Sequence, residues 1–121
     1  MKTKLLILAT LLLFFASCEK KKEVYVDNLP QLEITVLDIT HTAVDGVSVT
    51  IFDNETDFKS NSNGIKTSST DSQGKVLFTD LEEKVYYFFA EKGDMNNLKN
   101  VSVIEKQLAI NVKAQVKTVI K

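Results

Sequence analysis

The sequence has 121 residues, with 15 basic and 16 acidic side chains and a net charge of −1. This length fits one domain, and the balanced charge argues against a nucleic-acid-binding protein, in which lysine and arginine normally cluster. His41 is the only histidine and Cys18 the only cysteine. Because His41 falls in a turn-rich stretch typical of solvated loops, we expect no catalytic residues and no enzyme activity.

The N-terminus has the features of an export signal. Lys2 and Lys4 precede an apolar run over residues 5–16, after which charge begins at Glu19. A run of that length fits the apolar core of a signal peptide and is too short for a membrane span, which needs about 20 apolar residues. We therefore predict a signal peptide over residues 1–17.

The residues Ala16, Ser17 and Cys18 resemble the lipobox of bacterial lipoproteins, although Phe15 departs from the aliphatic residue usual at that position. The resemblance implies that Cys18 becomes the acylated N-terminus, carrying palmitate-type chains, and that this covalent lipid is the only cofactor. It also implies an address at the cell envelope, with the outer membrane as the expected membrane partner. An ordinary signal peptide followed by a coincidental cysteine, and an uncleaved anchor, are the alternatives.

Residues 18–30 are mostly polar and are predicted to be a tether between the lipid and a folded domain over residues 31–121. The lysines at 20–22 suit a soluble linker. A flexible chain of about ten residues would hold the domain on the order of 15–20 Å from the membrane.

Short runs of alternating apolar and polar residues dominate the rest of the chain, and such alternation is typical of half-buried β-strands. Asp45-Gly46 suits the turn between the first two runs. No long helix is indicated, so we predict an all-β fold, a single antiparallel Ig-like or prealbumin-like β-sandwich of about seven strands. The predicted strands are residues 32–36, 47–51, 65–69, 75–79, 84–90, 98–104 and 108–119.

Two stretches are less regular. Residues 52–72 are rich in Asn, Ser and Asp and are predicted to form a long loop with at most a short strand at its end. Residues 108–119 also fit a helical spacing, but strict alternation and β-branched content favour a strand whose lysines mark an exposed face or a guarded edge.

Two parts of the sequence resemble the carboxypeptidase regulatory-like, or prealbumin-like, domain. They are residues 36–51 and the pattern T-D-x-x-G-x-x-x-F over residues 70–78, which is followed by Leu81 and Tyr86. Collagen-adhesin B-type repeats share this pattern. The resemblance implies a β-sandwich. It implies no particular function, because one fold serves many functions.

Three carboxylates at alternate positions, Asp53, Glu55 and Asp57, are the only candidate metal ligands. Calcium favours such oxygen-rich loops, but the glycine and the terminal bidentate glutamate of a calcium-binding loop are missing. We therefore favour a solvated acidic loop and expect no obligatory metal.

The aromatic run over residues 86–89 provides a candidate binding surface. Alternation predicts that Tyr86 and Phe88 face the core while Tyr87 and Phe89 point out of the sheet, where they would contact a glycan or a partner protein. The alternative, which we favour, is that the long loop or the tether covers them.

Two hypotheses of function follow. The first is a membrane-anchored, non-catalytic binding or accessory module at the cell envelope, with Tyr87 and Phe89 on its binding surface. The second is a structural or adhesive subunit that assembles through strand edges, using its C-terminal strand.

Overall fold

The computed structural model describes residues 28–121, which form seven strands and one short helix. One sheet has the strand order β4-β1-β7 and the other the order β3-β2-β5-β6. The predicted signal peptide, Cys18 and most of the tether lie outside the described residues. The elements are β1 Gln31–Leu37, β2 Ser48–Phe52, α1 Glu55–Ser60, β3 Lys66–Ser69, β4 Lys75–Phe78, β5 Tyr87–Lys92, β6 Met95–Asn96 and β7 Lys113–Val119.

The core lies between the two sheets and is built from the predicted alternation. Apolar side chains at alternate positions of β1 and β2 are buried, and their polar neighbours are at the surface. Burial of these side chains removes apolar surface from water, which stabilises the fold by about 25 cal/mol for each Å² buried. The β-sandwich predicted from the sequence is confirmed. Its buried core consists of Leu32, Ile34, Val36, Val47, Val49, Ile51, Val76, Phe78, Leu81, Tyr86, Phe88, Ala90, Leu108 and Ile120.

One strand pairing departs from the predicted antiparallel arrangement. β7 runs parallel to β1 from Gln31↔Lys113 to Leu37↔Val119, whereas β1 and β4 are antiparallel. Alternation identifies the buried face of a strand and carries no information on strand direction. The last strand also begins five residues later than predicted, because Asn111 has a positive φ of 60° in the turn that precedes it.

The tight turn predicted at residues 71–74 is present, and it places β4 beside β1. The Asp71 carboxylate accepts hydrogen bonds from the N–H groups of Gln73 and Lys75, at 2.8 and 3.0 Å. Gly74 has a φ of +73°, and a Cβ built there would lie 2.6 Å from the Val36 carbonyl oxygen. Glycine is therefore required both for the backbone conformation and for the close approach to β1.

Residues 98–104 lie beside β5, where a strand was predicted, but they are irregular. Val103 makes one isolated bridge to Tyr87. The fully buried Asn97 links this segment to β5. Its Oδ1 accepts from the Ala90 N–H at 2.9 Å, and its Nδ2 donates to the Val101 carbonyl at 3.0 Å. The side chain therefore provides hydrogen bonds that a regular ladder would otherwise supply.

The predicted long loop contains the helix α1 as well as β3. Asn54 caps α1, since its Oδ1 accepts from the Asp57 N–H at 2.8 Å, and Asn61 ends it in a left-handed conformation. The helix has one turn and a half and no fully buried residue, so no helical periodicity was visible in the sequence.

Within residues 28–121, no helix is long and apolar enough to cross a membrane.

Candidate interaction surfaces

The outer side of β7 is a sheet edge. Within the described part of the chain, β7 pairs with β1 alone. The Gln31 N–H donates to the Val112 carbonyl at 3.2 Å, and the Ile120 N–H donates to the Leu37 carbonyl at 2.9 Å. The backbone groups of the even-numbered residues in this segment therefore point toward β1. The backbone N–H and C=O groups of successive residues in a strand point to opposite sides. Those of Lys113, Gln115 and Lys117 therefore point away from β1.

The open part of this edge is short. At the C-terminal end of β7, the Asn100 side chain donates to the Val119 carbonyl at 2.9 Å, and Lys121 exchanges backbone hydrogen bonds with Asn96. These contacts close the edge beyond Lys117. An added strand of about five residues would therefore pair with residues 113–117 and no further.

A groove of about 420 Å³ runs along this edge, between β7 and residues 101–106. Its β7 wall has Ala114 and Val116, which are half-buried and pack on the core. Val101 on the opposite wall is 47% exposed, so part of the apolar lining of the groove is in contact with solvent. The lining is Leu32, Val101, Val103, Ile104, Glu105, Lys106, Ala114, Gln115 and Val116.

The other face of β7 is basic. Lys113, Gln115 and Lys117 are exposed there, beside Glu33 of β1. Glu33 lies 3.7 Å from the Lys113 ammonium and accepts from the Gln115 amide at 3.3 Å. No carboxylate of the described residues lies within 4 Å of the Lys117 ammonium. The edge therefore carries an uncompensated positive charge at one end.

The structure places Tyr87 and Phe89 on the outer face of β5, opposite the core-facing Tyr86 and Phe88. Both are half-buried. Phe58 of α1 stacks on Tyr87 with ring centroids 5.5 Å apart, and meets Phe52 edge-on at 5.8 Å. The helix in the long loop therefore covers part of the predicted aromatic surface.

Asp53, Glu55 and Asp57 are not arranged around a common point. Glu55 pairs with Lys59 at 2.7 Å, and Asp53 lies 3.3 Å from the Lys84 ammonium. Asn54 donates to both Asp53 and Asp57, at 3.0 and 2.8 Å. The hydrogen bond from Asn54, followed by Lys84, lowers the pKa of Asp53 below its usual value. In residues 28–121 no three His, Cys, Asp or Glu side chains are grouped so as to hold a metal ion.

His41 is exposed in the turn after β1, with a φ of 62°, and its N–H donates to the Asp38 carbonyl at 2.9 Å. Cys18, the predicted lipidation site, lies outside the described residues. The predicted tether includes residues 28–30, which contact the domain: the Asn28 carbonyl accepts from the Asn111 N–H at 2.8 Å, and that of Pro30 accepts from the Leu81 N–H at 3.1 Å.

Sequence reasoning interpreted the lysines of the last strand as marking an exposed face or a guarded edge, but it could not assign the groove beside them. That groove depends on residues 101–106 lying opposite β7, a long-range arrangement that no local pattern encodes.

Comparison with solved structures reveals the same fold in a domain of a pilus protein. A streptococcal ancillary pilin superposes with a TM-score of 0.56 at 16% identity, covering 75% of this chain and 31% of that one. The Bacillus anthracis TIE protein and a group B streptococcus pilus 2b backbone protein match with TM-scores of 0.43 and 0.44, each at 20% identity over 75% of this chain. The chain spans 16% and 41% of their respective lengths.

No protein-family model and no curated protein matches the chain. The two sheets and the likeness to the ancillary pilin confirm the predicted β-sandwich, while the resemblance to the carboxypeptidase regulatory-like domain stays a prediction.

Proposed function

We propose that this chain is a non-catalytic structural or adhesive subunit of the bacterial cell envelope that assembles by adding a strand to the edge of β7. The observation that carries the proposal is the outward-pointing backbone of Lys113, Gln115 and Lys117 along an open groove. Main-chain hydrogen bonds at such an edge supply affinity, and the pockets beside it supply specificity.

The fold shared with a streptococcal ancillary pilin supports this proposal, because that protein is a pilus component built on the same sandwich. The likeness concerns one domain of a longer protein, so it supports a structural role for the domain and leaves its partners open.

The N-terminus provides the anchor in this proposal. Lipid on Cys18 would hold the domain at the envelope, with the outer membrane as its location and residues 18–27 as the link. Each buried CH₂ of an acyl chain contributes about 0.8 kcal/mol to membrane binding, and more than one chain is needed for stable attachment.

The binding-module hypothesis is less well supported. Its surface depends on exposed aromatic side chains at Tyr87 and Phe89, and the stacking of Phe58 on Tyr87 covers part of that surface. The edge of β7 over residues 113–117, in contrast, has no pairing strand among the described residues.

Sedimentation velocity of the purified full chain over a range of concentrations tests the assembly. The decisive variant is Gln115→Pro, which removes an N–H that points to the open edge and leaves the ladder to β1 intact. Gln115→Ala is the matched control, because it changes the same side chain and keeps the N–H.

We expect wild type and Gln115→Ala to associate as concentration rises and Gln115→Pro to remain monomeric with an unchanged circular dichroism spectrum. A wild-type chain that stays monomeric at all concentrations, or a Gln115→Pro variant that associates like wild type, would contradict strand addition at this edge.

A further inference from the structure

The β7 edge selects a strand of particular composition. Its inner face opens on the apolar groove beside Ala114 and Val116, so the added strand must present apolar side chains at two alternate positions. Its outer face carries Lys113 and Lys117, so the same strand must present acidic side chains four residues apart on its other face.

Two copies of β7 do not meet this requirement. In an antiparallel pair centred on Gln115, Lys113 of each copy would lie opposite Lys117 of the other. Like charges directly opposite one another destabilise a strand pair, and lysines at a sheet edge generally oppose self-pairing. This charge pattern therefore favours a partner strand from another segment.

We propose that the partner strand is residues 23–27 of a neighbouring copy, an inference that rests on the proposed function. In the sequence Glu23-Val24-Tyr25-Val26-Asp27, acidic and aromatic residues alternate with valines. Paired antiparallel to β7, this segment places Val24 and Val26 over Val116 and Ala114, at the mouth of the groove.

The same register matches the charges on the outer face. It sets Glu23 opposite Lys117, which has no carboxylate within 4 Å in the described residues, and Asp27 opposite Lys113. Tyr25 then lies opposite Gln115. Each opposite-charge or aromatic pair contributes about 0.2–1 kcal/mol to strand pairing.

A neighbouring copy supplies the segment because the chain's own path is restricted. In the same copy, Asp27 would lie on the outer side of Lys113 while Gln31 lies on its inner side, two strand spacings or about 10 Å away. Asn28 is hydrogen-bonded to Asn111 and Pro30 to Leu81, so two of the three residues that would make this crossing are already fixed on the domain.

Disulfide trapping between two variants tests the inference. Full chains carrying Cys18→Ser have no other thiol, so Tyr25→Cys in one preparation and Gln115→Cys in the other supply the only reactive pair. After mixing and mild oxidation, we expect a heterodimer at least tenfold more abundant than with Asp94→Cys, a control in the exposed turn between β5 and β6.

A second variant probes the groove itself. Val26→Asp would place a charge at the groove mouth in the proposed register, so we expect it to reduce the heterodimer at least tenfold. Lys21→Asp is the control, because it makes the same type of change outside the proposed strand.

Two outcomes overturn the inference. One is a Tyr25→Cys/Gln115→Cys double variant that forms its disulfide within a monomer, which would show that the segment docks on its own domain. The other is association that Gln115→Pro abolishes while neither trapping nor Val26→Asp has any effect, in which case β7 assembly would stand with a different partner strand.

Discussion

Phe58 stacks on Tyr87 with their ring centroids 5.5 Å apart and their planes inclined by 25°. The contact joins the helix of the long 52–72 segment to the outer face of β5. It covers part of Tyr87, and together with the edge-on contact between Phe58 and Phe52 of β2 it attaches α1 to the sheet.

Phe58→Ala is therefore expected to lower the free energy of unfolding by about 1–2 kcal/mol. The loss is smaller than for a fully buried phenylalanine because Phe58 is half-buried. Urea unfolding measures it, with Lys59→Ala as a control on the exposed face of the same helix. Equal stability of the two variants would show that the stack contributes nothing.

Gly74→Ala is expected to destabilise the domain by more than Gly93→Ala. Both glycines have positive φ, which costs an L-residue roughly 1–2 kcal/mol. Only Gly74 has a close neighbour, the Val36 carbonyl at 2.6 Å from a built Cβ, whereas no atom lies within 4 Å at Gly93. The difference between the urea unfolding midpoints of the two variants measures the destabilisation caused by the close approach of the turn to β1. Equal midpoints would show that this close approach contributes nothing.

The Asp38 turn predicts a dependence of stability on pH. The Thr40 hydroxyl, followed by the Thr42 N–H, donates to the carboxylate at 2.6 and 3.0 Å and lowers the pKa of Asp38 below its usual value. Folding therefore favours the ionised form, so this contribution is present above about pH 4 and is lost as pH falls through the lowered pKa.

Asp38→Asn should accordingly be less stable than wild type at pH 7, with the difference shrinking toward pH 2. Thermal unfolding across that range measures the trend. Asp94→Asn, in another exposed turn, is the control and should show no comparable change. A difference for Asp38→Asn that is the same at pH 3 and pH 7 would contradict the assignment.

Local patterns were sufficient for most of the strands and for the core, as the burial of Leu32, Ile34 and Val36 illustrates. They were insufficient wherever a long-range contact decides the structure. The direction of β7, the irregular crossing held by Asn97 and the groove opposite Val116 all depend on which segments meet. The α1 helix left one local signal, the Asn54 cap, within a segment otherwise typical of loops.

The lipid anchor predicts a specific mass. Protein extracted with detergent from membranes of a bacterial host should have the mass of residues 18–121 plus acyl chains. Cys18→Ser and treatment with an inhibitor of lipoprotein signal peptidase are the controls, and both should abolish the mature acylated form. An unacylated mass, or an N-terminus other than Cys18, would rule out the anchor.

Amide hydrogen exchange along β7, compared between dilute monomer and concentrated assembly, tests strand addition most directly. The amides of Ala114 and Val116 face β1 and should be protected in both states, whereas those of Gln115 and Lys117 face the open edge. We predict that exchange at Gln115 and Lys117 slows at least about tenfold on assembly. An assembly in which these two amides exchange as fast as in the monomer would contradict the central claim that β7 is the assembly edge.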